Sequence, residues 1–233
     1  MYFLRICTLA IALSMLNACS TNLELVAPDE PTPGLFSVSS TNFLYVASAV
    51  QWNQDYAVSA AHTPRLANVK YRCSTGCDLV FIRRSADGVI PNWRASVVGE
   101  PVKTAGINML MLTVKGIGTN SGTRVRLNHK NDRGVYALCD APVEAGMSGG
   151  AVYGSDNAVV GMTIGIFLPF SASQHDQKTM STYVPYEVIE HEWKLFSQDL
   201  AAQERLLPTG PQARTLLANS SGTRAGPPKS VDR

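Results

Sequence analysis

Between about residues 43 and 170 the chain is cut into short apolar runs, each closed by turn-forming residues, and no stretch of that span sustains helical spacing. Runs at 43–50, 56–61, 69–72, 79–84, 95–98 and 109–114 read as the strands of one barrel. Those at 124–127, 135–138, 150–153 and 159–167 read as strands of a second. Strands at this spacing predict an all-β sandwich or barrel. A chain of 233 residues, 45% of them hydrophobic, can bury such a core. The pattern changes only near the end, where Val188, Ile189, Trp193, Leu195, Phe196 and Leu200 recur at three- and four-residue steps among charged residues and predict one amphipathic helix.

The ends of the chain read differently from its middle. Arg5 followed by the apolar run 6–16 has the form of a targeting segment. It closes on Leu16-Asn17-Ala18-Cys19, which resembles the lipobox of bacterial lipoproteins. That resemblance implies that residues 1–18 are removed and that Cys19 is acylated. Each buried methylene of its chains would then add about 0.8 kcal/mol of membrane affinity. Ser20 in the next position resembles the outer-membrane sorting signal, so the expected place is a lipid anchor in the bacterial envelope, facing the periplasm. An uncleaved anchor or an ordinary secretion signal is the other reading of the same segment. Residues 19–39, with Pro28, Pro31, Pro33 and Gly34, read as a flexible tether. The folded domain is expected at 40–204, and the Pro-, Gly- and Ser-rich stretch 205–233 as a disordered tail.

Apart from Cys7 and Cys19, three cysteines remain. Cys73-Ser74-Thr75-Gly76-Cys77 has the form of a tight hairpin with a cysteine on each side, and an oxidising compartment would let the two pair. The alternative, a metal site, lacks a second C-x-x-C or a histidine pair. His129, His175 and His191 have no partner at ligand spacing, so neither metal nor cofactor is expected. Cys139 reads as a buried apolar residue. A net charge of +2 without any block of like charge gives no argument for nucleic acid.

Two short motifs carry chemistry. Ser59-Ala60-Ala61-His62 ends one apolar run, and Gly146-Met147-Ser148-Gly149-Gly150 opens another. A serine hydroxyl is a poor nucleophile at neutral pH; it needs a base within hydrogen-bond reach and donors for the oxyanion it creates. Glycines beside Ser148 let the backbone turn sharply enough to supply those donors. The run from Asp140 to Gly150, Asp-Ala-Pro-Val-Glu-Ala-Gly-Met-Ser-Gly-Gly, follows without a gap the Asp-Ala-Ala-x-x-x-Gly-x-Ser-Gly-Gly of trypsin-like serine peptidases. Over roughly residues 40–196 the chain resembles that family, and most closely its HtrA/Deg-type branch.

The resemblance implies two six-stranded-type antiparallel β-barrels of chymotrypsin-like form followed by a C-terminal helix. His62 would be base then acid, Ser148 the nucleophile, and the Gly146 and Ser148 N–H groups the oxyanion hole. Gly161-Met162-Thr163-Ile164-Gly165-Ile166 matches the strand lining the substrate cleft, which makes Thr163, Ile164 and Gly165 substrate-binding residues. Pro142 stands six before Ser148, where trypsin-like enzymes place the aspartate that receives Arg or Lys. The expected partner is a polypeptide, held as a substrate or as a bound protein.

The third member of the triad departs from the pattern. The family writes its acid ahead of an apolar strand; in the corresponding place this chain has Asn108-Met109-Leu110-Met111-Leu112-Thr113-Val114, an amide for the acid. Asn108 could orient His62 but could not stabilise its imidazolium. Asp78, in Cys77-Asp78-Leu79-Val80-Phe81-Ile82, matches the same motif, with few residues between it and His62. Asn108 is the expected third residue and Asp78 the alternative. On that expectation the chain is a weakened serine endopeptidase or an inactive homologue that binds proteins or peptides.

Overall fold

The computed structural model describes residues 23–40, 45–127, 132–167 and 179–206. The expected signal segment 1–18, Cys19, His129, His175 and the tail beyond 206 lie outside the described residues.

One sheet is built from a contiguous stretch of chain. Strands β2 (Leu35–Ser39), β3 (Val46–Gln51), β4 (Tyr56–Ser59), β5 (Val69–Arg72) and β6 (Val80–Arg83) are antiparallel in the order β2-β3-β4-β6-β5. A bridge between Ser40 and Leu66 joins the segments at its two edges. Ala49, Ala57, Val80 and Ile82 form its core, with Phe36, Val38, Leu66 and Val69 packed over them.

The other sheet contains β1 (Leu23–Leu25), β7 (Pro101–Ile107), β8 (Thr113–Val125), β9 (Tyr136–Cys139), β10 (Ala151–Tyr153), β11 (Val159–Phe167) and β12 (Met180–Pro185), in the order β1-β8-β7-β10-β11-β12-β9. Because β9 also pairs with β8, six of these strands close into a ring. The 13-residue β8 is long enough to take β1 along residues 114–116 and β9 along residues 120–125. Val102, Ala137, Cys139, Val152, Val160 and Tyr183 fill the interior. The architecture is the chymotrypsin-like double β-barrel, all-β apart from the helix α1 (Tyr186–Leu206). The turns of α1 from Trp193 onward form a compact unit of their own, in which the Trp193 and Phe196 rings meet edge to face at 5.7 Å.

Three expectations are corrected. First, residues 95–98 form no strand and the run expected at 109–114 gives none to the first sheet, while Leu35–Ser39 adds one, so that sheet has five strands where six were expected.

Second, residues 101–125 are a long hairpin of the second barrel. Gly116 and Gly118 suggest turns in the sequence, but they sit in β8 because neighbouring backbone presses on them. A Cβ at Gly116 would lie 2.3 Å from the Pro142 carbonyl oxygen, and one at Gly118 2.2 Å from Ala141 N.

Third, the expected tether 19–39 is part of the fold from Leu23 on. Glu30 pairs with Lys115 at 2.6 Å and Lys103 at 3.0 Å, and the Tyr153 hydroxyl donates to the Pro33 carbonyl at 2.9 Å. Hydrogen bonds first from Lys115 and then from Lys103 hold the Glu30 carboxyl below its ordinary range.

Candidate active site

His62 follows the end of β4, whose Tyr56 to Ser59 pair with Arg83 to Val80 of β6. Asp78 stands just before β6, so the pairing of these two strands brings histidine and aspartate to the same end of the sheet. Asp78 Oδ1 accepts the His62 backbone N–H at 2.7 Å, and Asp78 Oδ2 lies 2.5 Å from His62 Nδ1. One carboxylate thus holds both the backbone and the ring of the histidine. With Nδ1 occupied by Asp78, Nε2 is the nitrogen left to accept a proton. The hydrogen bond that Asp78 accepts from the ring raises the His62 pKa above its ordinary value, against the opposing effect of burial.

Asp78 is itself supported from both barrels. The Cys73–Cys77 disulfide, with Cα atoms 5.4 Å apart, closes the hairpin that delivers it. Its N–H donates to the Tyr136 hydroxyl of β9 at 2.8 Å, and that hydroxyl donates to Asp132 at 2.5 Å. Burial, then the bond to Asp132, push the Tyr136 phenol pKa well up, so it remains a protonated donor. Gly134 packs against Cys77: a Cβ there would come within 2.5 Å of the Cys77 Cβ. A cavity of about 480 Å³ opens beside the pair, lined by Ala61, His62, Gly76, Cys77, Asp78, Leu127 and Asp132.

The expected third residue, Asn108, is placed elsewhere. It opens the turn between β7 and β8, where its Oδ1 accepts the N–H groups of Leu110 and Leu112, both at 3.0 Å. Met111 takes the left-handed conformation, with φ 62°, that this tight turn requires. The side-chain oxygen of Asn108 is spent on its own loop, and Asp78 occupies the place beside His62. Two other acids are engaged by arginines, Glu100 by Arg94 and Asp87 by Arg84, each at 2.7 Å.

The Ser148 turn is fixed by the first barrel. Gly146 and Gly149 have φ of +96° and +85°, where a side chain would be strained. Space forbids one as well: a Cβ on Gly149 would fall 2.1 Å from the Ser48 carbonyl oxygen, and one on Gly146 2.6 Å from that of Ile107. Ser48 of β3 is the pin. Its N–H donates to the Ser148 carbonyl at 2.8 Å, while its Oγ donates to the Gly146 carbonyl at 3.0 Å and accepts from Ile107 N–H at 2.8 Å. The Ser59 hydroxyl, three residues before His62, holds the Ser48 carbonyl at 2.8 Å. Among the described residues the N–H groups of Gly146 and Ser148 meet no acceptor.

The Ser148 hydroxyl donates to the Ile164 carbonyl at 3.3 Å, long for a hydroxyl bond, and among the described residues no hydrogen bond joins it to His62. Thr163 anchors the same turn through its backbone, accepting Gly149 N–H at 2.7 Å and donating to Gly150 O at 2.8 Å. Its buried hydroxyl has no partner among the described residues. Beside Gly165 the space a Cβ would enter is open. Thr163, Ile164 and Gly165 therefore run along the Ser148 turn. Pro142 is directed instead at the β7–β8 hairpin, its carbonyl accepting the Thr104 hydroxyl at 2.7 Å and its ring lying against Gly116. Ser48 and Tyr136 went unmarked in the sequence because a serine inside a strand and a tyrosine in a core carry no local motif.

No protein-family model and no curated protein matches the sequence. Solved structures do match the fold. The serine endoprotease from Yersinia pestis superposes with a TM-score of 0.56 at 15% identity, over 72% of this chain and 64% of that one. The inactive form of the Rv3671c protease of M. tuberculosis gives 0.55 at 14%, covering 71% and 89%. The MamO protease domain from Magnetospirillum magneticum gives 0.55 at 17%, covering 69% and 95%. Serine proteases thus share this chain's fold. The matched part spans about two thirds of the Yersinia chain.

Proposed function

We propose that the chain is a serine endopeptidase of the HtrA/Deg type, held on a bacterial membrane through an acylated Cys19 and facing the periplasm. The observation that carries this reading is the His62 Nδ1 to Asp78 Oδ2 contact of 2.5 Å on the barrel that also pins the Ser148 turn. Ser148 Oγ leaves the Ile164 carbonyl and attacks the scissile carbonyl carbon, and His62 Nε2 takes its proton. The carbonyl oxygen, now negative, is received by the Gly146 and Ser148 N–H groups. Collapse re-forms the carbonyl and breaks the C–N bond as His62 returns the proton to the leaving amine. Water, deprotonated by His62, then attacks the acyl carbon, and as the C–O bond to Ser148 breaks His62 returns the proton to Ser148 Oγ, releasing the acid. Throughout, Asp78 keeps the ring in the tautomer that presents Nε2 and stabilises the imidazolium.

A fluorophosphonate probe tests this reading: it should label the wild type and fail to label Ser148→Ala or His62→Ala. Equal labelling of wild type and Ser148→Ala removes Ser148 as the nucleophile.

One observation favours a second reading, a non-catalytic protein- or peptide-binding envelope lipoprotein. Ser148 Oγ rests on Ile164 and not on His62. Absence of labelling in the folded wild type selects that reading. The anchor is tested separately: labelled fatty acid should enter the wild type and be lost in Cys19→Ser.

A further inference from the structure

Glu192 lies in α1 and is 1% exposed, a burial that a carboxylate tolerates only when its oxygens are satisfied. Three donors satisfy it, all from the β5–β6 hairpin. Oε2 accepts the Ser74 N–H at 2.7 Å and the Tyr71 hydroxyl at 2.9 Å, and Oε1 accepts the Ser74 hydroxyl at 2.8 Å. Ser74 is the first residue inside the disulfide hairpin, and Asp78 is the first residue after it. Within the hairpin Gly76 N–H donates to the Cys73 carbonyl at 3.0 Å, and Cys73 N–H to the Leu79 carbonyl at 3.1 Å. A displacement at Ser74 is therefore passed to both flanks of Asp78. Gly134 and Tyr136 hold the far end of the hairpin, and Glu192 holds the near end.

We propose that Glu192 is a positioning residue for the His62–Asp78 pair: by accepting hydrogen bonds from Tyr71 and Ser74 it fixes the hairpin that presents Asp78 to the histidine ring. The effect on rate rests on the peptidase reading; the effect on the histidine does not. The side-chain chemistry also says which substitution is tolerated. Glutamine keeps one oxygen to accept from Ser74 N–H and Tyr71, and its NH₂ donates to the Ser74 hydroxyl, which can act as acceptor instead. Alanine loses all three bonds and leaves a hole.

The test is an NMR titration of the full chain with labelled histidine, the His62 signal being assigned with His62→Gln, alongside the rate of fluorophosphonate labelling. The wild-type imidazole should titrate above its ordinary 6.5. In Glu192→Ala the midpoint should return towards that value and labelling should slow at least tenfold, a threshold of about 1.4 kcal/mol in barrier height. Glu192→Gln should match the wild type in both within about twofold, or about 0.4 kcal/mol. A folded Glu192→Ala with the wild-type midpoint overturns the proposal and leaves Glu192 only a packing role. Should Glu192→Ala fail to fold, Ser74→Ala removes one of the three bonds and is read in the same way; an unmoved midpoint there overturns the proposal too. An ordinary midpoint in the wild type overturns the pair itself. A raised midpoint that falls in Glu192→Ala, with no labelling in any form, upholds the positioning role and sinks the peptidase.

Discussion

Ser48 and Ser148, on different barrels, are joined by a backbone hydrogen bond of 2.8 Å, and the Ser48 side chain completes the clasp by bridging Ile107 N–H and the Gly146 carbonyl. The two barrels are therefore fastened to each other at the reactive turn itself. Ser48→Ala leaves a buried N–H at Ile107 without its acceptor, at a cost of about 1–3 kcal/mol. A lower midpoint in denaturant and slower probe labelling are both expected. Unchanged labelling in this variant would show that the clasp does not set the turn.

The acid is tested by an exchange at two positions. Asp78→Asn should lower turnover by about 10⁴-fold, the effect of the same change in a serine peptidase triad. Asn108→Asp should leave it nearly unaltered, because its side-chain oxygen still accepts from Leu110 and Leu112. Steady-state cleavage of a peptide substrate measures both. A gain of activity in Asn108→Asp would return that residue to the triad.

Both reactive motifs were legible because each is local: a histidine closing a strand, and a serine among glycines. The acid was legible only as the alternative, Asp78, ranked behind Asn108 for two reasons. Met109, Leu110, Met111 and Leu112 look like a buried strand in sequence but stand 54%, 75%, 58% and 44% exposed at a hairpin tip, and periodicity cannot distinguish an exposed apolar run from a buried one. Meanwhile the 16 positions from His62 to Asp78 seemed too few for a turn, a strand and a hairpin. They suffice because Arg65 and Asn68 take left-handed φ values of 53° and 58°, and β5 is only four residues long. Residues 23–39 depart from the expected tether for a related reason. Prolines and glycine suggested a loose tether, whereas the ion pairs of Glu30 are made to residues far along the chain.

The pH dependence follows from the raised His62 pKa. The imidazole must be neutral to act as a base, so probe labelling should rise through a midpoint above 6.5 and level off at higher pH. Asp78→Asn should move that midpoint down as well as lower the plateau. The sign for stability is opposite. A raised folded-state pKa contributes stability that is fully present below the unfolded value and is lost as pH rises through the folded one. The wild type should accordingly lose part of its advantage over Asp78→Asn between those two values, as followed by thermal melting across pH.

Substrate preference follows from the strand beside the Ser148 turn. Thr163 and Ile164 are buried beside the turn and bring no carboxylate to it, so small or medium apolar side chains should be preferred at the residue whose carbonyl is attacked. A peptide library cleaved mainly after Arg or Lys would contradict this.

Cys139 is fully buried in the second barrel, and burial pushes its thiol pKa up to about 12. It should resist iodoacetamide in the native protein and react once unfolded, as intact-mass measurement would show. Native alkylation would mean that the barrel opens readily.

The nearness of His62 and Asp78 in sequence separates the assembly of the site in time. Strands β2 to β6 span one unbroken stretch, so the base and its acid can meet while the chain is still emerging, whereas the nucleophile must wait for β10, β11 and β12 to close the other barrel. A chain caught partway through synthesis thus carries a histidine within reach of its aspartate, but without the Tyr136 and Glu192 contacts that fix their hairpin and without a serine beside them. Whatever chemistry the Ser148 turn performs must therefore wait for the second barrel to close.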